Sequence, residues 1–365
     1  MIKINISKEK ISDDDFLLTL VKIALDKYFN ESEEHKQIVK DFSYCEGDYS
    51  FKDKDYIVDY DEENEITKKK PIKVISPKAK YIVDTSSALF VGVPPKISTL
   101  KNDVEESNKI TVFNQKLQLK SFEREIFSVG KDASTCGHGN LLIFTKAQDT
   151  FSRFARLDPR SSAVVFDCSA EPESLFAFYI TKKQDVDENG NKKEYYYLTV
   201  YTDKFVYDMK TTSTTDFTSV IVPRISVDGV EVAKTPHYFG KVPVTRFANN
   251  KENKGDAYPV YSLIDAYNML LSSRLQNVKD IIDYILVLRN VRVGTEEETK
   301  SLVDLLKKHK ILPIEGEDAE AKFLTNPLNQ EQMGSLQKTI EEQIHQISGV
   351  PNMSSETFAS NASGT

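Results

Sequence analysis

Two long stretches of helical periodicity flank a short segment patterned quite differently, and this arrangement restricts the fold more than any other feature of the chain. From Pro259 to about Leu286, an apolar stripe is formed by Val260, Leu263, Ile264, Tyr267, Leu270, Leu271, Val278, Ile281, Ile282 and Ile285. Asp265, Ser272, Gln276, Lys279 and Asp283 form a polar one. At 1.5 Å of rise per residue, such a helix spans roughly 40 Å. A second helix is predicted from about Gln330 to Ile347, with Met333, Leu336, Ile340, Ile344 and Ile347 on one face. Between the two, the pattern predicts a short strand over 285–293, a helix over 296–308, and short strands near 311–314 and 321–324. Two long helices bracketing a small αβ insert imply a stalk with a module at its tip. The apolar stripe is either ordinary core, or the surface that meets the second helix and neighbouring subunits. The spacing does not divide these roles.

The region before the stalk reads as an antiparallel α+β body. Leu17, Leu20, Val21, Ala24, Leu25 and Tyr28 recur at helical spacing behind the Asp13-Asp14-Asp15 run, which suits the positive end of a helix dipole. Tyr49 to Lys70 is polar and acidic and reads as a loop or excursion. Ser76-Pro77-Lys78 predicts a helix start, with Ser76 as N-cap and the helix running through Leu89 to Gly92. One long helix is predicted from about Glu105 through Val129. Strands are predicted at Leu141–Phe144, Ala163–Asp167, Leu175–Thr181, Tyr195–Tyr201 and Phe205–Asp208. Asp187-Glu188-Asn189-Gly190-Asn191 is the hairpin connection, and Tyr195, Tyr197, Thr199 and Tyr201 share one face at period two.

Composition narrows the function classes. There are 48 Lys and Arg against 56 Asp and Glu, a formal net charge of −8. A protein that grips DNA by neutralising phosphates should be basic, so tight static DNA binding is not expected, while passage of DNA without sticking is compatible with like charge, which lowers adhesion. The three cysteines, Cys45, Cys136 and Cys168, are odd in number and widely spaced, as expected for free thiols in a reducing compartment. No signal peptide and no apolar run long enough for a membrane span is visible, so a soluble protein made in the cytoplasm is expected.

Chemistry-bearing motifs are few. Cys136-Gly137-His138-Gly139 is read as a tight Gly turn leading into the Leu141 strand, not half a metal site, because no other Cys lies at a matching spacing. No phosphate-binding Gly-x-x-x-x-Gly-Lys-Ser/Thr loop occurs. The histidines His35, His138, His237, His309 and His345 show no triad spacing. Asp256, Asp265, Asp280 and Asp283 cluster around one helix, where a two-metal nuclease would place carboxylates; a solvated helix face is the plainer reading. No catalytic residue, metal site or cofactor is assigned.

A resemblance then becomes specific. His237–Asp256 is similar to the Gly-x-x-Pro strand and Asn-rich loop that precede the stem helix in the SPP1-type bacteriophage portal family. Tyr261-Ser262-Leu263-Ile264-Asp265-Ala266-Tyr267-Asn268, with Ser272 beyond it, resembles that family's stem-helix opening, and Ser348-Gly349-Val350-Pro351-Asn352-Met353 through Gly364 resembles its tunnel-loop segment. Tyr81-Ile82-Val83, Leu89 to Pro94, and the strand pair Leu141–Thr145 and Phe154–Asp158 fit further blocks.

The resemblance implies a portal fold with 1–255 as an α/β wing, 256–287 as a stem helix, 288–326 as a clip, 327–349 as a second stem helix and 350–365 as the tunnel-loop segment. The family's following long helix and crown are absent, so the chain reads as truncated. It implies a homo-oligomeric ring, a dodecamer in the virion, at one capsid vertex. The ring would contact major capsid and scaffold proteins, dock the terminase large subunit, later join a head–tail adaptor, and pass double-stranded DNA without sequence specificity. No membrane role follows. Asn352, Ser354, Ser355 and Asn361 would touch DNA, Lys307 and Lys308 would belong to the docking clip, and Leu263, Ile264, Tyr267, Leu271, Val278 and Ile282 would pack the stem. Competing readings are another virion structural protein, such as a minor head or adaptor protein, and a metal-dependent nuclease.

Overall fold

The computed structural model describes residues 2–6, 11, 13–48, 57–60, 66–69, 72–99, 104–146, 151–186, 192–211, 221–223, 234–280, 285–289, 320–324 and 330–353. The chain forms two compact units. One comprises Met1–Ser50, Ser76–Ser262 and His345–Thr365; the other comprises Phe51–Ile75 and Leu263–Ile344.

The first unit is built around a seven-stranded sheet. Its strands are β1 (Ile2–Lys3), β6 (Ser162–Phe166), β7 (Ser174–Val186), β8 (Lys192–Tyr201), β9 (Phe205–Thr211) and β10 (Ile221–Pro223) in that order, with β11 (Lys234–Pro236) also on β9. β1 joins parallel to β6 and the other pairs are antiparallel. Alternate residues serve two different cores, as a period-two strand requires when both faces are covered. Val165, Phe176, Phe178, Leu198, Val200, Tyr207 and Met209 pack with the N-terminal helices. Val164, Ala177, Tyr201 and partly buried Phe166, Tyr179 and Val206 pack on the other face. That face meets a three-stranded sheet of β4 (His138–Phe144), β5 (Arg153–Leu157) and β12 (Val244–Ala248), through Leu142, Leu157, Val242 and Val244.

The N-terminal cover is α1 (Asp14–Asp26), one π turn (Lys27–Glu31) and α2 (Glu33–Glu46). Leu17, Leu20, Val21, Ala24, Leu25 and Tyr28 are buried, as their spacing predicts. The Tyr28 ring meets Phe178 edge-on at 5.8 Å, and its hydroxyl donates to the Pro159 carbonyl at 2.6 Å. α2 was not distinguished in the sequence, yet its ends carry ordinary signals. Ser32 Oγ accepts from His35 N, Glu33 and Glu34 occupy the first turn, and Gly47 closes the helix in the left-handed region.

α3 spans Lys78–Val91 and starts with Pro77 at the cap position and no side-chain cap, so Ser76 is not the N-cap. The single helix expected from Glu105 through Val129 is two, α4 (Val104–Leu119) and α5 (Phe122–Cys136). Ser121 sits between them at φ 59°, a left-handed conformation that no helix interior accommodates. The predicted strands are present, most of them longer than expected. Asp187–Asn191 lies outside the described residues, although Val186 and Lys192 pair directly.

In the second unit, α6 (Tyr261–Asp280) and α7 (Gln330–Ser348) cross over from the first. A short 3-10 turn, Tyr258–Val260, leads into α6, which ends before the expected Leu286. Ile285–Arg289 instead forms β13, antiparallel to β14 (Glu320–Leu324). The polar stripe of α6 has a defined task. Ser272 Oγ and Gln276 Oε1 accept from the backbone N–H groups of Val74 and Ile72, at 2.9 and 3.2 Å. Gln337 of α7 donates to Tyr267 Oη at 3.1 Å and accepts from Arg274, linking the two long helices at this point. The stretch expected as a loop contains a paired hairpin, β2 (Ile57–Tyr60) with β3 (Ile66–Lys69). The helix expected over 296–308 and the strand near 311–314 lie outside the described residues. No described helix is long and apolar enough to cross a membrane.

Phe178 is fully buried beneath Tyr28 and Phe29. Phe178→Ala is expected to cost about 3–5 kcal/mol, and Phe178→Leu clearly less, measured by urea unfolding. Equal, small losses for both would mean that the N-terminal helices do not seal this face.

Candidate functional site

In the first unit, residues of the loop that leads into α6 and of the end of α7 line one groove, and this pair of helix roots is the candidate site. The α6 root begins at β12, which pairs with β4 so that Arg246 lies opposite Asn140. The chain then folds back over residues 249–256 onto the last turn of α5. Gly137 ends that helix at φ 91°, and a Cβ there would overlap the Asn253 carbonyl. Gly255 comes so near the Thr135 carbonyl oxygen that no side chain fits. Asn249 N donates to Gly137 O, and Asp256 N to Ser134 O, both at 2.8 Å.

The Asn residues of this loop satisfy its own backbone. Lys254 N donates to Asn250 Oδ1 at 2.9 Å, and Asn250 Nδ2 to Lys254 O at 2.8 Å, while Asn253 accepts a positive φ of 53°. The Asp256 carboxylate accepts from Ser134 Oγ at 2.6 Å and Asn249 Nδ2 at 2.7 Å. Pro259 then enters the 3-10 turn, where its missing N–H costs nothing.

Two further contacts bind this root to α2. Tyr261 Oη donates to Asp41 Oδ1 at 2.7 Å, its ring stacking on Tyr44 with centroids 4.0 Å apart. Gln37 Nε2 donates to the same oxygen at 2.6 Å. Asp41 is 1% exposed, and burial pushes its carboxyl up to about 6 against those hydrogen bonds and the nearby lysines. Burial likewise raises the Tyr261 phenol well above its ordinary range, with the Asp41 charge beside it. Arg246 Nη2 pairs with Glu34 at 2.9 Å and reaches Asn253 Oδ1 at 3.2 Å.

At the α7 root, His345 Nδ1 lies 3.0 Å from Val350 O. Tyr81 Oη, from α3, donates to Pro351 O and accepts from Met353 N, each at 2.9 Å. Between the roots opens a groove of about 650 Å³, lined among others by Phe90, Ile126, Val129, Phe247, Asp256 and Val350. Beside it Leu89, Phe90 and Val93 stand 69%, 89% and 80% exposed, too many large apolar groups in one stretch to be incidental.

None of the predicted site residues is among the described residues lining this groove, and the predicted stem residues start at Leu263, in the second unit. Ile264 and Tyr267 are buried, Leu263 and Leu271 half-buried. On α7 Ile344 is buried, but Leu336 and Ile347 are about half exposed. Val278 belongs to α6, its side chain outside the description, and Ile282 lies outside the described residues. Asn352 follows the α7 root directly, whereas Ser354, Ser355, Asn361, Lys307 and Lys308 lie outside the described residues.

Cys136-Gly137-His138-Gly139 is the helix-to-strand turn that its glycines suggest, with Cys136 Sγ donating to His138 O at 3.3 Å. Burial, then the Arg246 charge, pushes His138 down to about 3, so its ring is neutral. Of the acidic cluster, Asp256 is consumed in the loop, Asp265 lies on α6, and the Asp280 side chain and Asp283 are outside the description. Among the described residues no group of three or more His, Cys, Asp or Glu is placed to hold a metal ion. Asp41, Tyr81 and His345 were not singled out as site residues. Asp41 stands on a helix that the sequence did not mark, whereas Tyr81 was read only as part of a family block and His345 only as lacking triad spacing.

Known proteins resemble this chain over most of its length. The family model described as "Phage portal protein, SPP1 Gp6-like" matches residues 26–365. A relative from Clostridium phage phiCD119, named portal protein, is 22% identical over 304 residues, covering 80% of this chain and 63% of its own. One of the same name from Bacillus phage SPP1 is 22% identical over 302 residues, covering 78% and 54%. The chain thus spans only 54–63% of the length of these curated relatives.

The Asp41 carboxyl sets a pH dependence. Its folded-state value, about 6 against an ordinary 3.8, is raised, so the native state holds the proton more tightly. The stability this contributes is full below the ordinary value and is lost as pH rises through about 6. In Asp41→Asn the amide oxygen can accept both existing hydrogen bonds and cannot ionise. Between pH 4 and 7, urea unfolding should show the variant gaining on wild type by about 2–3 kcal/mol. A difference that stays flat with pH would show that Asp41 is ionised in the native state throughout.

Proposed function

The chain belongs to the SPP1 Gp6-like family of phage portal proteins, and on that premise we propose that it is the portal subunit of a tailed bacteriophage, forming a closed ring through which double-stranded DNA enters and leaves the capsid. The observation that carries this reading is the extent of the match, which takes in the α+β body from Asp26 on, both long helices and the segment between them. Physical features agree with it. Leu89, Phe90 and Val93 on the body, and Leu336 and Ile347 on α7, are exposed apolar groups of the kind that a neighbouring copy covers. Repeated heterologous contact between copies closes into a ring when the rotation permits. The net charge of −8 suits a wall along which phosphates slide.

In this reading the protein is a structural component of the virion and not an enzyme, and it requires no cofactor. Hydrolysis of ATP belongs to the terminase that packages DNA. The segment 286–326 is the clip that docks the terminase large subunit and later the head–tail adaptor. The segment after Val350, with Asn352, Ser354, Ser355 and Asn361, touches the moving DNA. Leu263, Ile264, Tyr267, Leu271, Val278 and Ile282 pack the stem. Capsid and scaffold proteins are partners of the ring during assembly in the host.

Light scattering of the full-length protein at micromolar concentration should return the mass of a closed ring, and a strict monomer would count decisively against the reading. The clip assignment has its own test. Reversing the charge at Lys307 and Lys308 in an intact portal should weaken DNA packaging into procapsids while ring formation stays normal. Unchanged packaging and unchanged terminase binding would move the docking surface elsewhere.

A further inference from the structure

The hydroxyl of Tyr81 uses both its capacities at one place: it donates to Pro351 O and accepts from Met353 N. We propose that Tyr81 is a positioning residue that latches the exit from α7, so that residues 350–353 leave the helix on one fixed path and whatever follows starts from a rigid root. The latch itself stands on the geometry; what it positions rests on the portal reading, in which the segment beyond is the one that meets DNA.

The exit is held by side chains at Val350, where Ser348 Oγ accepts from the N–H and His345 lies against the carbonyl, and by Tyr81 beyond it. Pro351 has no N–H, so the segment cannot be pinned by a donor there. The two groups that Tyr81 engages are two residues apart, and one hydroxyl bridges them as a turn's own hydrogen bond would. His345 supplies the adjacent tie. A carbonyl oxygen only accepts, so the ring carries its proton on Nδ1 and donates to Val350 O at 3.0 Å. The imidazole and the Tyr81 ring meet edge-on, centroids 5.5 Å apart at 89°, each limiting the other's movement. Val350, 5% exposed, anchors the same stretch by its side chain.

Capping of α7 does not account for Tyr81. Ser348 Oγ already serves the helix end, donating to His345 O at 3.3 Å and accepting from Val350 N at 3.4 Å. Tyr81 acts beyond it, on residues outside the helix, and reaches them from the first turn of α3. The path of the exit is thereby coupled to a different element of the body, so a shift of α3 is passed to the segment after α7.

The test uses the full-length protein as wild type and as Tyr81→Phe, with Tyr238→Phe, 96% exposed and elsewhere, as control. Tyr81→Phe should speed amide hydrogen exchange over residues 350–353 by roughly thirtyfold, the loss of two net hydrogen bonds, while ring size and melting temperature match wild type. Procapsids carrying Tyr81→Phe rings should then package less DNA, or retain less, than those carrying Tyr238→Phe rings. Unchanged exchange at 350–353 would overturn the latch, and faster exchange with normal packaging and retention would overturn its positioning role. If wild-type rings themselves failed to package DNA, the portal reading would fall, while the exchange comparison would still decide the latch.

Discussion

The close approach of two backbones, the last turn of α5 and the loop over residues 249–256, is the constraint on which the rest of the first unit's functional face depends. It exists because Gly137 and Gly255 carry no Cβ: one would strike the Asn253 carbonyl and the other the Thr135 carbonyl. At this distance Asp256 N and Asn249 N find the carbonyls of Ser134 and Gly137. The carboxylate of Asp256 closes the joint on Ser134 and Asn249. Everything downstream, the 3-10 turn and the first turn of α6, takes its starting point from that joint.

The polar groups around the joint are held by geometry more than by net electrostatic gain. Burying the Asp41 carboxyl costs free energy, visible as its raised titration range, and the Tyr261 and Gln37 hydrogen bonds recover only part of it. Arg246 is also a buried charge, its side chain 7% exposed and paired with Glu34. Such groups add little stability over an apolar replacement, but breaking one side leaves a buried charge unpaired, so they define one arrangement strongly.

The legible part of the fold was the part written in hydrophobic period. Val260, Ile264 and Tyr267 of the predicted stripe, the Leu17 to Tyr28 face of α1 and the π turn, and the strands β6 to β9 bury apolar residues whose spacing alone identifies them. Three features escaped because they depend on something else. The break between α4 and α5 rests on the backbone angle of Ser121, a residue with no strong preference for it. The polar helix α2 has too few apolar positions to stand out, although its caps are regular. Tyr261 with Asp41, and Tyr81 with Pro351, join residues more than two hundred positions apart, and no local pattern records such a pairing. The Gly-His-Gly turn was legible because glycine spacing reports backbone need directly.

The most direct measurement is made on Gly255→Ala, combining chemical unfolding with amide exchange over residues 256–262. If the α6 root depends on the approach of two backbones, the added methyl group has nowhere to go. The variant should lose on the order of 3 kcal/mol or more, with protection lost across the first turn of α6 while α1 stays protected. A variant as stable as wild type, with the first turn of α6 fully protected, would show that the root is held by something other than this contact.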